Sequence, residues 1–216
     1  MAESLTEARE MRLVSLLQPE GQRWVEHHWD DLNAWLHAAG NPFADWYFGD
    51  PETAADIIRE WMKRPSSELY ARRAALLFDE QEQPAGCILG LYGRDVAACR
   101  SADFNAFCRD LGSSPEADEV IARIIAASHE LFPPVAADQY YISRVAIDPA
   151  RRGQGLGRHM VQLAIQEARA RGLSGIRLDV SADSTAAIRA YRAAGLRVAS
   201  TSHSKISGLT YTAMVL

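Results

Sequence analysis

The 216-residue chain is 48% apolar and 24% charged, with a formal net charge of −5. That balance belongs to a folded globular domain and excludes a mainly disordered, collagenous or fibrous protein. With 23 basic residues against 28 acidic ones, the surface has no general attraction for a polyanion, so nucleic acid is not an expected partner.

No uncharged apolar run reaches the roughly 18 residues of a membrane helix, so no membrane association is expected. The first ten residues are charged and lack the apolar centre of a secretory signal. Cys87, Cys99 and Cys108 form no CxxC pair and read as free thiols of a reducing compartment, the cytoplasm. His27, His28 and His37 have no companion cysteine or carboxylate pattern, so no metal site is expected.

In chain order, residues 12–17 read as a first strand, ended by Pro19 and Gly21. The next stretch holds all five tryptophans, Trp24, Trp29, Trp35, Trp46 and Trp61. Asp50-Pro51-Glu52 is a helix start, with Ile57, Ile58, Trp61 and Met62 at helical spacing and Pro65 as the stop. Strands are expected near 73–78 and 87–92, joined as a hairpin by the polar turn 79–84. Residues 95–132 read as helical, closed by Pro133-Pro134. The last third alternates regularly: strand 140–147, helix 155–171, strand 176–180, helix 185–194 with Gly195 after its end, and a hairpin of 196–203 with 209–215. The order β-α-α-β-β-(αα)-β-α-β-α-β-β predicts a mixed α/β, or α+β, sheet fold.

The stretch from Val145 to Gly157 runs strand, tight glycine-rich turn, helix start. Backbone N–H groups converge in such a turn, and the helix N-terminus adds about half a positive charge. With Arg151, Arg152 and Arg158 alongside, the natural occupant is a pyrophosphate. Arg158 breaks the dinucleotide spacing G-x-G-x-x-G, and no P-loop Gly-Lys-Ser/Thr is present. What stands is R-x-x-G-x-G over Arg152, Gly155 and Gly157. About thirty residues on come Ala187, Tyr191, Gly195 and Leu196.

Together these segments resemble motifs A and B of the GNAT N-acetyltransferase superfamily. Motif A, V-x-x-x-P-x-x-R-x-x-G-x-G, is matched by Val145, Pro149, Arg152, Gly155 and Gly157. Motif B, N-x-x-A-x-x-x-Y-x-x-x-G-[FL], is matched from Ala187 to Leu196, with Ser184 where the family often has Asn. A serine there can still cap the helix. The resemblance implies a GNAT-like acyl-CoA-binding fold, a central mixed twisted sheet of about seven strands flanked by helices. It implies a single domain over 1–216: an aromatic-rich helical part at 20–64, an extra helical insertion at 95–132 before the motif A strand, and an acetyl-CoA-binding core at 138–196.

It also implies acetyl-CoA as acyl donor. Pantetheine would pair with the main chain of Val145, Ala146 and Ile147. The pyrophosphate would lie on Arg152, Gly153, Gln154, Gly155, Leu156, Gly157 and Arg158, with Ser184 and Ala187 nearby. The implied reaction is direct attack of a primary amine on the thioester, with Tyr191 as general acid to the CoA thiolate. A phenol of pKa about 10 can donate to a thiolate whose conjugate acid lies near 8.5 to 9.

The proton acceptor is less legible. The motif A strand reads Tyr140-Tyr141-Ile142-Ser143-Arg144-Val145, with no carboxylate. A water chain through Ser143 and Tyr141, or a group from another segment such as His129, Glu130 or His203, would have to serve. Trp46, within Trp46-Tyr47-Phe48, is a candidate acceptor contact by cation–π attraction, with Tyr141 and Ser143. The narrowing expected from the insertion and the aromatic helices favours a small-molecule amine. The alternatives are a protein lysine or N-terminal acetyltransferase, and a non-catalytic acyl-CoA-binding or sensing module. Relatives are often dimers, so a homodimer is compatible with the resemblance, but no exposed strand or heptad marks an interface.

Overall fold

The computed structural model describes residues 11–216 apart from Glu82. The charged start 1–10 and Glu82 of the hairpin turn, both used above, lie outside the described residues. The fold is a mixed α/β sheet of seven strands in the order β1-β2-β3-β4-β5-β7-β6, flanked by helices on both faces. Its strands are β1 (Arg12–Ser15), β2 (Ala74–Phe78), β3 (Pro84–Tyr92), β4 (Gln139–Ile147), β5 (Gly175–Ser181), β6 (Arg197–His203) and β7 (Thr210–Val215). β1 is shorter than its sequence suggests, because the chain turns at Ser15, whose carbonyl accepts from the Gln18 N–H at 2.9 Å.

Four helices rather than two fill the aromatic-rich segment: α1 (Pro19–His27), α2 (Trp29–Gly40), α3 (Phe43–Phe48) and α4 (Pro51–Trp61). α4 begins where its cap demands: Asp50 Oδ1 accepts from the N–H of Glu52 and Thr53 at 3.0 and 2.9 Å, with Pro51 in the first turn. The insertion is two helices, α5 (Gly93–Leu111) and α6 (Pro115–Leu131). They part at Gly112, and Ser114 Oγ accepts from the Ala117 N–H at 3.1 Å to start α6.

α7 (Leu156–Ala170) and α8 (Thr185–Ala193) complete the set. α8 ends in a Schellman closure, with Leu196 N–H bonded to Tyr191 O and Gly195 N–H to Arg192 O, both at 3.0 Å. Its start differs from expectation: Ser184 sits at the N-cap, but its side chain makes no capping hydrogen bond.

Two apolar layers sandwich the sheet. Leu32, Leu36, Ile58, Met62, Leu76 and Leu89 form the layer under α2 and α4. Met160, Val161, Ile165, Ile176, Leu178 and Met214 form the layer under α7. Each fully buried side chain contributes about 1.5–3 kcal/mol relative to exposure, so both faces are firmly held.

Two irregularities in β4 shape everything that follows. β4 and β5 run parallel, yet they pair only over Gln139–Ile142 and Gly175–Leu178. Beyond Ile142 the two strands diverge while β4 stays paired to β3. The β3–β4 register also slips between Leu89↔Arg144 and Gly90↔Ile142, leaving Ser143 as an extra, bulged residue.

Candidate active site

The gap between β4 and β5 holds a cavity of about 110 Å³, lined among others by Ser143, Val145, Ser184, Ala187 and Tyr191. The structure thus brings five of the sequence-predicted site residues to one place. Among the described residues the edge of β4 over 143–147 has no strand partner on the β5 side, which leaves its main chain open to an extended ligand. Asn41 Oδ1 is buried in this lining without a hydrogen-bond partner among the described residues. An orphaned acceptor beside an open strand edge fits an amide-bearing chain such as pantetheine.

The glycine-rich turn follows directly. Gly153 and Gly155 take φ of 81° and 78°, and a Cβ at either would meet nothing within 4 Å. These positions therefore demand glycine for backbone conformation and leave an open concavity above the α7 N-terminus. Gly155 is the N-cap, and the first-turn N–H groups of Leu156, Gly157 and Arg158 face outward along the helix axis. Leu156 itself is buried in the core, so only its main chain is on offer. Gln154 is exposed. Arg152 Nε donates to Ile147 O at 3.3 Å. Arg151 is spent elsewhere, on Asp79 of the β2–β3 turn at 2.5 Å. The residues present fit a pyrophosphate.

On the other side of β4 lies a cavity of about 700 Å³. Its walls are aromatic and aliphatic, with Phe43, Tyr47, Trp61, Phe104, Phe132 and Tyr211 prominent. α5 and α6 supply one whole side of it. Trp46 packs on Phe43 with ring centroids 5.7 Å apart and lies beside this lining, not in it. Tyr141 and Ser143 both line the cavity, as does His129. Glu130 is exposed, and His203 on β6 is occupied with Thr210 Oγ1 at 3.0 Å. Ala39, Ser143, Asp179 and Tyr211 line both cavities, so the two spaces meet there.

The bulge explains why Ser143 can do this. Tyr140, Ile142, Val145 and Ile147 face the α7 layer. Tyr141, Ser143 and Arg144 face the large cavity. One extra residue places Ser143 and Arg144 side by side on the same face, where strict alternation would have separated them.

A chain of polar contacts crosses the cavity floor. Glu68 accepts from Arg100 Nε at 2.8 Å and from the Ser143 hydroxyl, and Arg144 Nη1 stands 3.9 Å away. Arg100 Nη2 donates to Tyr141 Oη at 2.7 Å, Tyr141 donates to Asp179 at 3.1 Å, and Arg177 pairs with Asp179 at 3.0 Å. Burial pushes the Glu68 carboxyl up, but the two guanidinium groups and the Ser143 hydroxyl more than offset it, so Glu68 is held below the usual carboxylate range. Asp103 goes the other way. Burial raises it to about 6, against the lowering pull of the Glu68 N–H (2.9 Å) and the Ser67 hydroxyl. Burial likewise raises Tyr191 to about 12, so its phenol keeps its proton throughout the neutral range.

A model of the acetyltransferase (GNAT) family matches residues 22–196, most of the chain. The chain belongs to that family. The GNAT fold is equally visible in solved structures. An N-acetyltransferase from Staphylococcus aureus Mu50 superposes with a TM-score of 0.61 at 16% identity, over 96% of this chain and 100% of that one. A spermidine N-acetyltransferase from Vibrio cholerae, in complex with CoA and spermine, gives 0.52 at 13% identity over 96% and 95%. A mycothiol acetyltransferase from Nocardia farcinica (strain IFM 10152) is 43% identical over 63 residues, which are 29% of this chain. That match spans 20% of the Nocardia protein's length.

Several residues of this candidate site left no trace in the sequence motifs. Glu68 and Asn41 lie in loops, Asp103 and Arg100 on the insertion, and Tyr211 on the last strand. Nothing in local spacing announces them, because each is brought to the site by the packing of elements distant in the chain. Among the described residues no group of three or more His, Cys, Asp or Glu side chains is arranged to hold a metal ion, and no helix is long and apolar enough to cross a membrane.

Proposed function

We propose that the protein is an acetyl-CoA-dependent N-acetyltransferase acting on the primary amine of a small molecule. The observation that carries this reading is the meeting of two cavities at Ser143. One lies along an open strand edge above a glycine-built anion cradle, and the other is large and largely apolar. The whole of 1–216 is read as one such domain, in the cytoplasm, where Cys87, Cys99 and Cys108 remain free thiols.

Acetyl-CoA supplies an activated thioester carbonyl. The open edge of β4 from Val145 to Ile147 aligns the pantetheine arm, Asn41 offers an acceptor to its amides, and the turn from Arg152 to Arg158 takes the pyrophosphate, with Ser184 and Ala187 closing the α8 side. The acceptor enters as an ammonium, and Asp103 takes its first proton, its pKa near 6 matching neutral conditions. The neutral nitrogen attacks the carbonyl carbon, the N–C bond forms and the C–S bond breaks. Tyr191 gives its phenolic proton to the departing sulfur and recovers one from the new amide nitrogen. The products are the acetylated amine and free CoA thiol, and Asp103 releases its proton to solvent.

The wall that α5 and α6 give the large cavity supports a small acceptor over an extended peptide. The deciding experiment is calorimetric titration with acetyl-CoA and CoA, with NADH as control, followed by amine-dependent thiol release. Binding of both CoA species with NADH silent is expected. In the same assay Tyr191→Phe should bind acetyl-CoA normally and lose at least about tenfold in kcat. Failure to bind acetyl-CoA would remove the donor assignment and the mechanism built on it.

A further inference from the structure

The large cavity is chemically two-ended. Its charged lining belongs to a single network around Ser143. Glu68 accepts from the Ser143 hydroxyl, Arg100 joins Glu68 to Tyr141, Tyr141 donates to Asp179, and Asp103 accepts from the Glu68 N–H. Arg144 donates to Ser143 O at 2.8 Å. Ser143, Asp179 and Tyr211 also line the donor cavity, so the polar end is the end at which the two spaces meet. The walls contributed by the helices are Phe48 of α3, Trp61 of α4, Phe104 of α5 and Ile124 of α6. Ring packing fixes several of these walls, with centroids 5.2 Å apart for Phe48 and Trp61 and 4.9 Å for Phe43 and Phe132.

The charges at the polar end are almost all satisfied. Glu68 is paired with Arg100, and Asp179 with Arg177. Asp103 is the lining carboxylate that has no ion pair among the described residues. A molecule with one ammonium finds one open carboxylate there, whereas a second ammonium would meet either a carboxylate already paired or an aromatic wall. The exposed members of the lining show where the cavity opens: Ala97 and Ser101 on α5, Ile125 and His129 on α6, and Pro134 just beyond. Ile125 is 41% exposed, an uncommon position for a large aliphatic side chain unless an apolar body passes over it.

On the reading of this site as an N-acetyltransferase, we propose that its acceptor is a primary monoamine with a bulky aliphatic or aromatic body, which enters between α5 and α6, rests on the aromatic walls and presents its nitrogen at Ser143. The insertion thereby selects the acceptor, since α5 and α6 supply both the mouth and part of the apolar wall. A polyamine or a polyhydroxylated amino sugar would leave charged or hydroxyl groups against rings that offer them no partner.

The test compares acceptors on the full-length protein by acetyl-CoA-dependent thiol release: 3-phenylpropylamine with propylamine, heptylamine with 1,7-diaminoheptane, and spermidine and glucosamine as polar amines. The phenyl group should raise kcat/KM by at least about tenfold, the effect of burying one large apolar group. Heptylamine should exceed its diamine by about tenfold or more, since the two differ only in a terminal ammonium. Phe104→Ala and, separately, Ser101→Trp at the mouth should each cut the phenyl advantage to below about threefold, with acetyl-CoA affinity by calorimetry reporting that each variant is folded. Calorimetry of N-acetyl-3-phenylpropylamine and N-acetylpropylamine in the presence of CoA gives a readout without turnover. Tighter binding of the phenyl compound, with a more negative heat-capacity change, is expected. Spermidine, glucosamine or the diamine equal to or better than the apolar monoamines would overturn the proposal. So would a preference for hexanoyl-CoA over acetyl-CoA with no gain from an apolar amine, which would give the cavity to the acyl chain. Absence of turnover with every acceptor while acetyl-CoA binds would also overturn it and leave the donor assignment standing. Loss of acetyl-CoA binding in the unmodified protein would instead bring down the acetyltransferase reading itself.

Discussion

Asp103 and Glu68 are neighbours in one cavity, yet their acidities are driven apart. Glu68 has Arg100, Arg144 and the Ser143 hydroxyl to stabilise its charge, whereas at Asp103 burial outweighs the Glu68 N–H, the Ser67 hydroxyl and the charge of Arg144 and raises it to about 6. Two carboxyls with separated acidities can divide the work: the one stays charged and attracts an ammonium, the other exchanges a proton near neutral pH. The sign of the stability effect follows. Folded Asp103 holds its proton up to about pH 6, while an unfolded aspartate releases it near 3.8. Its contribution is therefore complete below pH 3.8 and is lost as pH rises through 6, a difference of about 3 kcal/mol. Asp103→Asn keeps an acceptor for the Glu68 N–H and removes the ionisation. Its Tm should match the parent near pH 4 and exceed it at pH 8, while kcat falls and the rise of kcat/KM through pH 6 disappears. A Tm difference that is the same at both pH values would show that burial does not govern this group.

At the level of elements, the β4–turn–α7 unit carries the donor site, and its parts are not interchangeable. Gly155 combines a left-handed backbone with an N-cap position, so any side chain there is strained and also projects into the open concavity above the helix. Gly155→Glu adds a negative charge where a pyrophosphate would sit, and CoA affinity should weaken by at least about tenfold in a calorimetric titration. Unchanged affinity would mean that the anion binds elsewhere. This unit was legible in the sequence, because its glycines, arginines and strand lie within a dozen residues of each other. α5 and α6 were also legible as helices. Their role as the side wall of a cavity was not, since helical periodicity names an inward face without saying what that face meets.

Across the whole molecule, Glu68 ties three distant parts together: the loop after α4, the insertion through Arg100, and β4 through Ser143. Removing its charge leaves Arg100 and Arg144 without their shared counter-ion. Breaking such a buried pair from one side costs about 3–5 kcal/mol. Glu68→Gln should accordingly lower Tm at pH 7, with the difference narrowing as the parent is taken to acid pH and Glu68 is itself protonated. A neutral result in thermal unfolding would show that the contact is incidental to the assembly of cap, insertion and sheet.

What the sequence determined by itself was local: the strand–turn–helix with R-x-x-G-x-G, the Asp50 cap, the β2–β3 and β6–β7 hairpins, and Tyr191 on the inner face of α8. These depend on dihedral preference, capping and periodicity, which act over a few residues. Tertiary structure alone decided that β4 and β5 part company after Ile142, that a bulge turns Ser143 and Arg144 to the same side, and that Gly40 packs closely against the Arg144 guanidinium. It also brought Glu68, Asp103 and Tyr211 from separate elements to one cavity. Such features depend on which surfaces meet when the layers pack, and burial then sets the acidity of the groups trapped between them.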